Sequence, residues 1–173
     1  GTIETPPAYG KYHVDGHRAC GVMQDQLQTK QKGKICPKCK KELTIGVAYR
    51  IEELATRPEG FKPKNAKPYY SVIPLSELIA AIYDIKLLGS KKISEIYASL
   101  IKQFGNEFNI LLKTPEKELE TVIHTKLAKL ILQNRTASIP LEAGYDGVYG
   151  KLLIDKEDML EKTKQKKTTI LLM

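Results

Sequence analysis

The chain has 173 residues, 42% of them hydrophobic, and its 28 lysines and arginines outweigh 20 acidic residues for a net charge of +8. That length suffices for one ordinary domain or two small ones with a packed core. The absence of any apolar run of about 18 residues argues against a membrane-spanning helix, and three cysteines, an odd number, argue against a disulfide framework.

The polar, abrupt start "GTIETPPAYGKYH" reads as part of a longer polypeptide without a secretory signal. The cysteine usage points to a cytoplasmic protein. Residues 1–56 are expected to form a zinc-binding module. His17 and Cys20 make an H-x2-C pair, and Cys36 and Cys39 a C-x2-C pair. Two ligands separated by two residues can reach one ion from a tight turn, and two such turns close a tetrahedral structural site around Zn2+. In "CPKC", Pro37 fixes one backbone angle, and the residue after the second cysteine is expected at positive φ. Gly21 suits that place after Cys20, whereas Lys40 occupies it after Cys39 with some strain. His13 is the alternative fourth ligand, at a less suitable separation from Cys20. With three thiolates and one zinc, the net charge falls to about +7, a surplus that suits a polyanion such as nucleic acid.

A short helix is expected from Val47, with Val47, Ile51 and Leu54 as its apolar face. A basic, proline-rich linker follows at 57–73, where Arg57, Lys62, Lys64 and Lys67 alternate with Phe61, Tyr69 and Tyr70. Cations beside flat rings can track a phosphate chain, so the four basic residues are candidate nucleic-acid contacts, Arg57 and Lys62 foremost. The tyrosines are read as capping the core.

Residues 74–136 carry a helical period of a short-helix bundle. Leu75, Leu78, Ile79 and Ile82 share one face, with Gly89 as the expected stop. Ile93, Ile96, Tyr97, Leu100, Ile101 and Phe104 form the next stripe, ending at Gly105. Thr114 is expected to cap the helix that begins with Pro115 and Glu116. The rhythm of "FNILLKTPEKELETVIHTKLAKLIL" is that of a helix-hairpin-helix array, although "VIH" stands where a glycine-containing turn belongs. Such a hairpin binds phosphate through backbone amides; the plainer reading is a helical packing domain.

Residues 137–155 hold a glycine-rich turn and a strand-like "KLLI". Within "GYDGVYG", Tyr145 and Asp146 are candidate contacts to an extruded base, and a self-bonded β-turn is the alternative. The charged tail, 156–173, is expected to be disordered. The fold class expected is therefore α+β, a small zinc-ribbon-like module followed by short helices.

The motifs of the common catalytic folds are missing. The late Gly150-Lys151 pair has Tyr145 where a phosphate-binding loop needs its first glycine, and Leu152 where it needs a hydroxyl. With His17 used by zinc, His13 and His124 are too few for a histidine-built multimetal hydrolase. The "NRT" at Asn134 is a chance match to a glycosylation acceptor. The chain is expected to carry no catalytic residues of its own.

Four stretches in order, "GKYHVDGHRACG", "CPKCKKELTIGVAYRIEELATRPEGFKP", "YYSVIPLSELIA" and "EAGYDGVYGK", resemble the C-terminal part of the endonuclease Q family. The resemblance covers roughly Ile3 to Ile154. It implies a parent repair nuclease that cuts DNA 5′ of deaminated bases, with metals held by an N-terminal PHP metallohydrolase domain whose histidines this chain does not match. It also implies that the zinc module and helical region help to hold DNA. The rival expectation is a zinc-stapled adaptor for a partner protein; RNA binding by the zinc module is a third.

Overall fold

The computed structural model describes residues 1–58, 60–155 and 159–160. Its architecture is α+β, with seven helices and six short strands among the described residues. The expected tail at 156–173 lies outside the described residues, apart from Met159 and Leu160. The described residues form two compact units, one within Gly1–Pro74 and Leu132–Leu153, the other within Leu75–Ile131 together with Ile154, Asp155, Met159 and Leu160.

The first unit is a set of two-stranded sheets. Strand β1 (Thr2–Glu4) pairs in parallel with β4 (Tyr69–Ser71). Strand β2 (Asp15–His17) pairs with β3 (Val22–Gln24) in an antiparallel hairpin, His17 facing Val22. Strand β5 (Leu141–Glu142) pairs with β6 (Lys151–Leu152). The segment between β5 and β6 lies on the start of the chain. Gly144 donates to the Ala8 carbonyl at 2.9 Å and accepts from the amides of His13 and Val14 at 3.0 and 3.1 Å. A side chain at Gly144 would collide with the Gly10 carbonyl, so the two backbones approach this closely only because the residue is glycine.

Helix α1 (Gln26–Lys32) departs from the sequence expectation, which placed no helix there. Its signal was present as a capping box. The Asp25 carboxylate accepts from the Gln28 amide at 2.7 Å, and the Gln28 side chain accepts from the Asp25 amide at 3.2 Å. Helix α2 (Val47–Leu54) forms where expected, but Tyr49 is its buried residue, while Val47, Ile51 and Leu54 are more than half exposed. The periodicity found the helix and misassigned its face. The first α2 amides are satisfied from outside the helix, Val47 by the Tyr12 carbonyl and Ala48 by that of His13. Tyr69 and Tyr70 are likewise exposed on β4 and do not cap the core.

One buried amide links the two ends of this unit. The side chain of Asn134 accepts from the Ile73 amide at 2.9 Å and donates to the Ile73 carbonyl at 3.0 Å. Being buried, Asn134 is not placed to receive a glycan, which agrees with reading its sequon as chance.

The second unit contains α3 (Leu75–Ile82), α4 (Lys91–Phe104), α5 (Glu107–Leu112), α6 (Glu116–Leu119) and the beginning of α7 (Thr125–Arg135). The expected α3 face, Leu75, Leu78, Ile79 and Ile82, is fully buried. Each such side chain contributes about 1.5–3 kcal/mol relative to exposure. Helix α3 stops at Ile82 rather than Gly89. Asp84 takes the left-handed conformation at φ 49, so the Ile85 and Asp84 amides fold back onto the carbonyls of Ala80 and Ala81 at 2.9 and 3.3 Å. Thr114 does not cap α6: Pro115 occupies the cap position, and the Thr114 hydroxyl turns back to the Asn109 carbonyl at 3.1 Å. Glu107 instead acts as a remote cap. One of its oxygens accepts from the Leu75 amide at 2.7 Å, the other from the Tyr97 hydroxyl at 2.8 Å.

Candidate functional site

The strongest constellation of chemistry in the first unit lies at the tip of the β2–β3 hairpin and the loop that follows α1. The residues from Arg18 to Cys20 make one 3-10 turn, closed by Gly21 at φ 59. The second turn runs from Cys36 to Lys40, where the Lys40 amide donates to the Cys36 carbonyl at 2.9 Å and Lys40 sits at φ 63. Both residues after the second ligand thus take the left-handed conformation, one without cost and one with the strain expected of a lysine. The Lys38 ammonium donates to the Cys20 carbonyl at 2.7 Å and ties the two turns together.

The ligand atoms of His17, Cys20, Cys36 and Cys39 lie within 4.8 Å of one another. The His17 Nδ1 is 3.6 Å from the Cys39 Sγ. Two ligands on one tetrahedral zinc, bonded at about 2.0 and 2.3 Å, would stand about 3.6 Å apart, so the residues fit such an ion. His13 is not in the cluster; its Nδ1 is buried without a partner among the described residues, and burial lowers its pKa. Val22, Cys36 and Leu43 are buried together, with Cys20, Cys39 and Ile45 packed against them. The ligands therefore belong to the small core they would staple.

The thiols also perturb one another. The Cys20 thiol is pushed up to about 11 by its hydrogen bond to Cys39, assisted by burial and by Cys36. For Cys36, burial opposes ionisation, but the backbone amides of Cys39 and Lys38 outweigh it and lower the pKa. Three sulfurs this close do not all ionise unless a cation sits among them.

The glycine-rich turn supports this cluster from a distance in sequence. Asp146, at φ 42, accepts from the Thr44 hydroxyl at 2.6 Å and from the Arg18 amide at 2.6 Å. These bonds, that of Thr44 foremost, hold its carboxyl below the ordinary value. The Tyr145 ring lies against the bare face of Gly16. In this structure both residues are engaged in holding the module together.

The linker residues are arranged differently. Arg57, Lys62, Lys64 and Lys67 are exposed, and none has a carboxylate within 4 Å among the described residues. The Arg57 guanidinium lies 4.9 Å from the centre of the Phe61 ring, an exposed cation–aromatic pair. In the second unit, the turn between α6 and α7 uses its own amides: those of Val122 and Ile123 donate to the Leu119 carbonyl, and that of Lys126 to the His124 Nδ1 at 3.2 Å. With Glu116, Glu118 and Glu120 beside it, this hairpin favours the packing reading over phosphate binding. Among the described residues, no helix is long and apolar enough to cross a membrane.

Comparison with known proteins places these features. Residues 74–138 match the family model of the MJ0043 C-terminal domain. The chain is 34% identical to the protein MJ0043 of Methanocaldococcus jannaschii over 84% of its length, and 31% identical over the same share to YqxK of Bacillus subtilis. It spans only 18% and 33% of those two proteins. Among solved structures, it is similar to the lesion-specific endonuclease Q of Pyrococcus furiosus, with a TM-score of 0.77 and 31% identity, covering 90% of this chain and 38% of that one. It is also similar to an endonuclease Q bound to a 27-mer duplex substrate with an abasic lesion at the active site, with a TM-score of 0.75 and 29% identity, covering 94% and 40%.

Proposed function

We propose that this chain, which resembles endonuclease Q over nine-tenths of its length, is the DNA-holding, zinc-stabilised part of a repair endonuclease. The observation that carries the reading is that resemblance, one neighbour being bound to a lesion-bearing duplex. In this reading, the parent protein cuts DNA 5′ of deaminated bases, using metals held by a PHP domain outside these 173 residues.

The zinc-ribbon-like module serves as a rigid platform. His17, Cys20, Cys36 and Cys39 would hold Zn2+, which supplies cross-linking rather than a reactive water, because four protein ligands complete its tetrahedron. Arg57, Lys62, Lys64 and Lys67, without a carboxylate partner among the described residues, neutralise phosphates. Binding is then strongly salt-dependent, log K falling by about 0.9 per phosphate contact for each unit of log salt.

The test is fluorescence anisotropy of the metal-loaded chain with matched duplexes, with and without a single deoxyuracil, at two salt concentrations. Salt-sensitive binding to both supports the grip, and a uracil preference assigns lesion reading to this chain as well. Absence of binding at low salt overturns the reading.

A second reading has its own observation. Val47, Ile51 and Leu54 form an exposed apolar stripe on α2 at i, i+4 and i+7, a surface suited to docking on protein. This is the adaptor alternative, and failure of DNA binding would favour it.

A further inference from the structure

We infer that Arg18 and Tyr12 converge above Gly147 to form a phosphodiester contact, flanked by Lys11 and the exposed ring of Tyr149 as a stacking surface for a DNA base. This rests on the DNA reading above and gives it a location on the metal-binding module.

The geometry comes from four residues brought together by the glycine-rich turn. The Gly147 amide donates to the Lys11 carbonyl at 3.0 Å, fixing the turn beside residues 11 and 12. A Cβ built on Gly147 would lie 3.4 Å from an Arg18 guanidinium nitrogen and 3.5 Å from the Tyr12 hydroxyl. Two donor groups from the β2 region thus both border a residue of the distant glycine-rich turn that has no side chain. Neither group has a hydrogen-bond or ion-pair partner among the described residues. Arg18 and Lys11 are exposed, and Tyr12 and Tyr149 are 51% and 61% exposed. The Lys11 ammonium lies 4.7 Å from the centre of the Tyr149 ring.

The nearby negative charge of Asp146 attracts the Arg18 side chain without forming an ion pair with it. Asp146 directs its oxygens to the Thr44 hydroxyl and to the main-chain amide of Arg18, leaving the guanidinium itself unpaired. Arg presents a planar fork of donors matched to phosphate oxygens, and a tyrosine hydroxyl adds a further donor. An exposed ring beside a cation is the pattern by which single-stranded segments are held, each stacked base adding affinity with little sequence preference. Cation and ring together suit a strand with a displaced base better than they suit an acidic protein, which would need no stacking surface.

The experiment uses the full chain, metal-loaded, and anisotropy titrations on single-stranded and duplex DNA across a salt series. Arg18→Gln retains the main-chain bond to Asp146, so the module should keep its metal content and circular dichroism. Its expected effect is several-fold weaker binding and a salt slope smaller by about 0.9, one phosphate contact. Tyr149→Ala is expected to weaken single-strand binding several-fold with an unchanged slope. If the unsubstituted chain binds but Arg18→Gln has its slope and Tyr149→Ala its affinity, this location is overturned while the DNA reading stands. If the unsubstituted chain does not bind at low salt, the DNA reading falls and this site with it.

Discussion

Asp146 and Thr44, 102 positions apart, meet in a 2.6 Å hydrogen bond, and the second oxygen of the same carboxylate takes the Arg18 amide. A single side chain in the glycine-rich turn thereby holds the His17–Cys20 turn and the segment that follows the Cys36–Cys39 turn.

Removing that charge should loosen the module. Asp146→Asn is expected to destabilise it by about 1–2 kcal/mol, as weakened hydrogen bonds to a charged acceptor, and to speed metal release to a chelator. The effect is pH-dependent with a definite sign. The hydrogen bond from Thr44, then that from Arg18, lowers the Asp146 pKa. Its stabilisation is therefore complete above the unfolded value of about 3.9 and is lost as pH falls through the lower folded value. The gap in denaturation midpoint between the unsubstituted protein and Asp146→Asn should be constant near neutrality and shrink in acid.

Metal removal should act on the first unit far more than on the second. Cys36 is fully buried among the other ligands, and a structural zinc contributes about 10–16 kcal/mol of apparent binding free energy in small modules. Cys36→Ser, or strong chelation, is expected to abolish stoichiometric zinc and unfold the β2–β3 hairpin region. Most of the helical circular dichroism from α3 to α7 should persist. Metal analysis with amide exchange checks both parts.

The Asn134 amide offers a sharper stability test. Asn134→Ala leaves both the buried Ile73 amide and its carbonyl without their side-chain partner, which should cost about 2–4 kcal/mol. Chemical denaturation reads it directly. A loss below about 0.5 kcal/mol would mean that the chain relaxes to find other partners.

At Lys40 a stabilising change is expected. A lysine at φ 63 bears a left-handed penalty of about 1–2 kcal/mol that glycine avoids, partly offset by the greater freedom of glycine in the unfolded chain. Lys40→Gly should raise stability by about 0.5–1 kcal/mol in thermal unfolding, whereas Gly21→Ala, at φ 59, should lower it.

Much of the local structure was legible because it depends on near neighbours. The x2 spacing brought His17 with Cys20, and Cys36 with Cys39, and the cluster contains those four residues. The apolar period marked the buried face of α3 because a helix fixes its faces by counting. The same logic misled at α2, where Val47, Ile51 and Leu54 have the period but lie exposed, and Tyr49 fills the core. A period reports that a helix has two faces, not which one a neighbour covers.

By itself, the sequence determined the two x2-spaced pairs, His17 with Cys20 and Cys36 with Cys39, the helical region and the left-handed turn at Lys40, since each is a property of residues within a few positions of one another. Only the tertiary structure decided that Asp146 serves Thr44 and Arg18, that Asn134 clasps Ile73, and that Arg18 and Tyr12 both border Gly147. These contacts join residues from 61 to more than 100 positions apart. Closing such loops leaves no local pattern; the partners are chosen by backbone packing at glycines such as Gly144 and by the requirement that buried polar groups be satisfied.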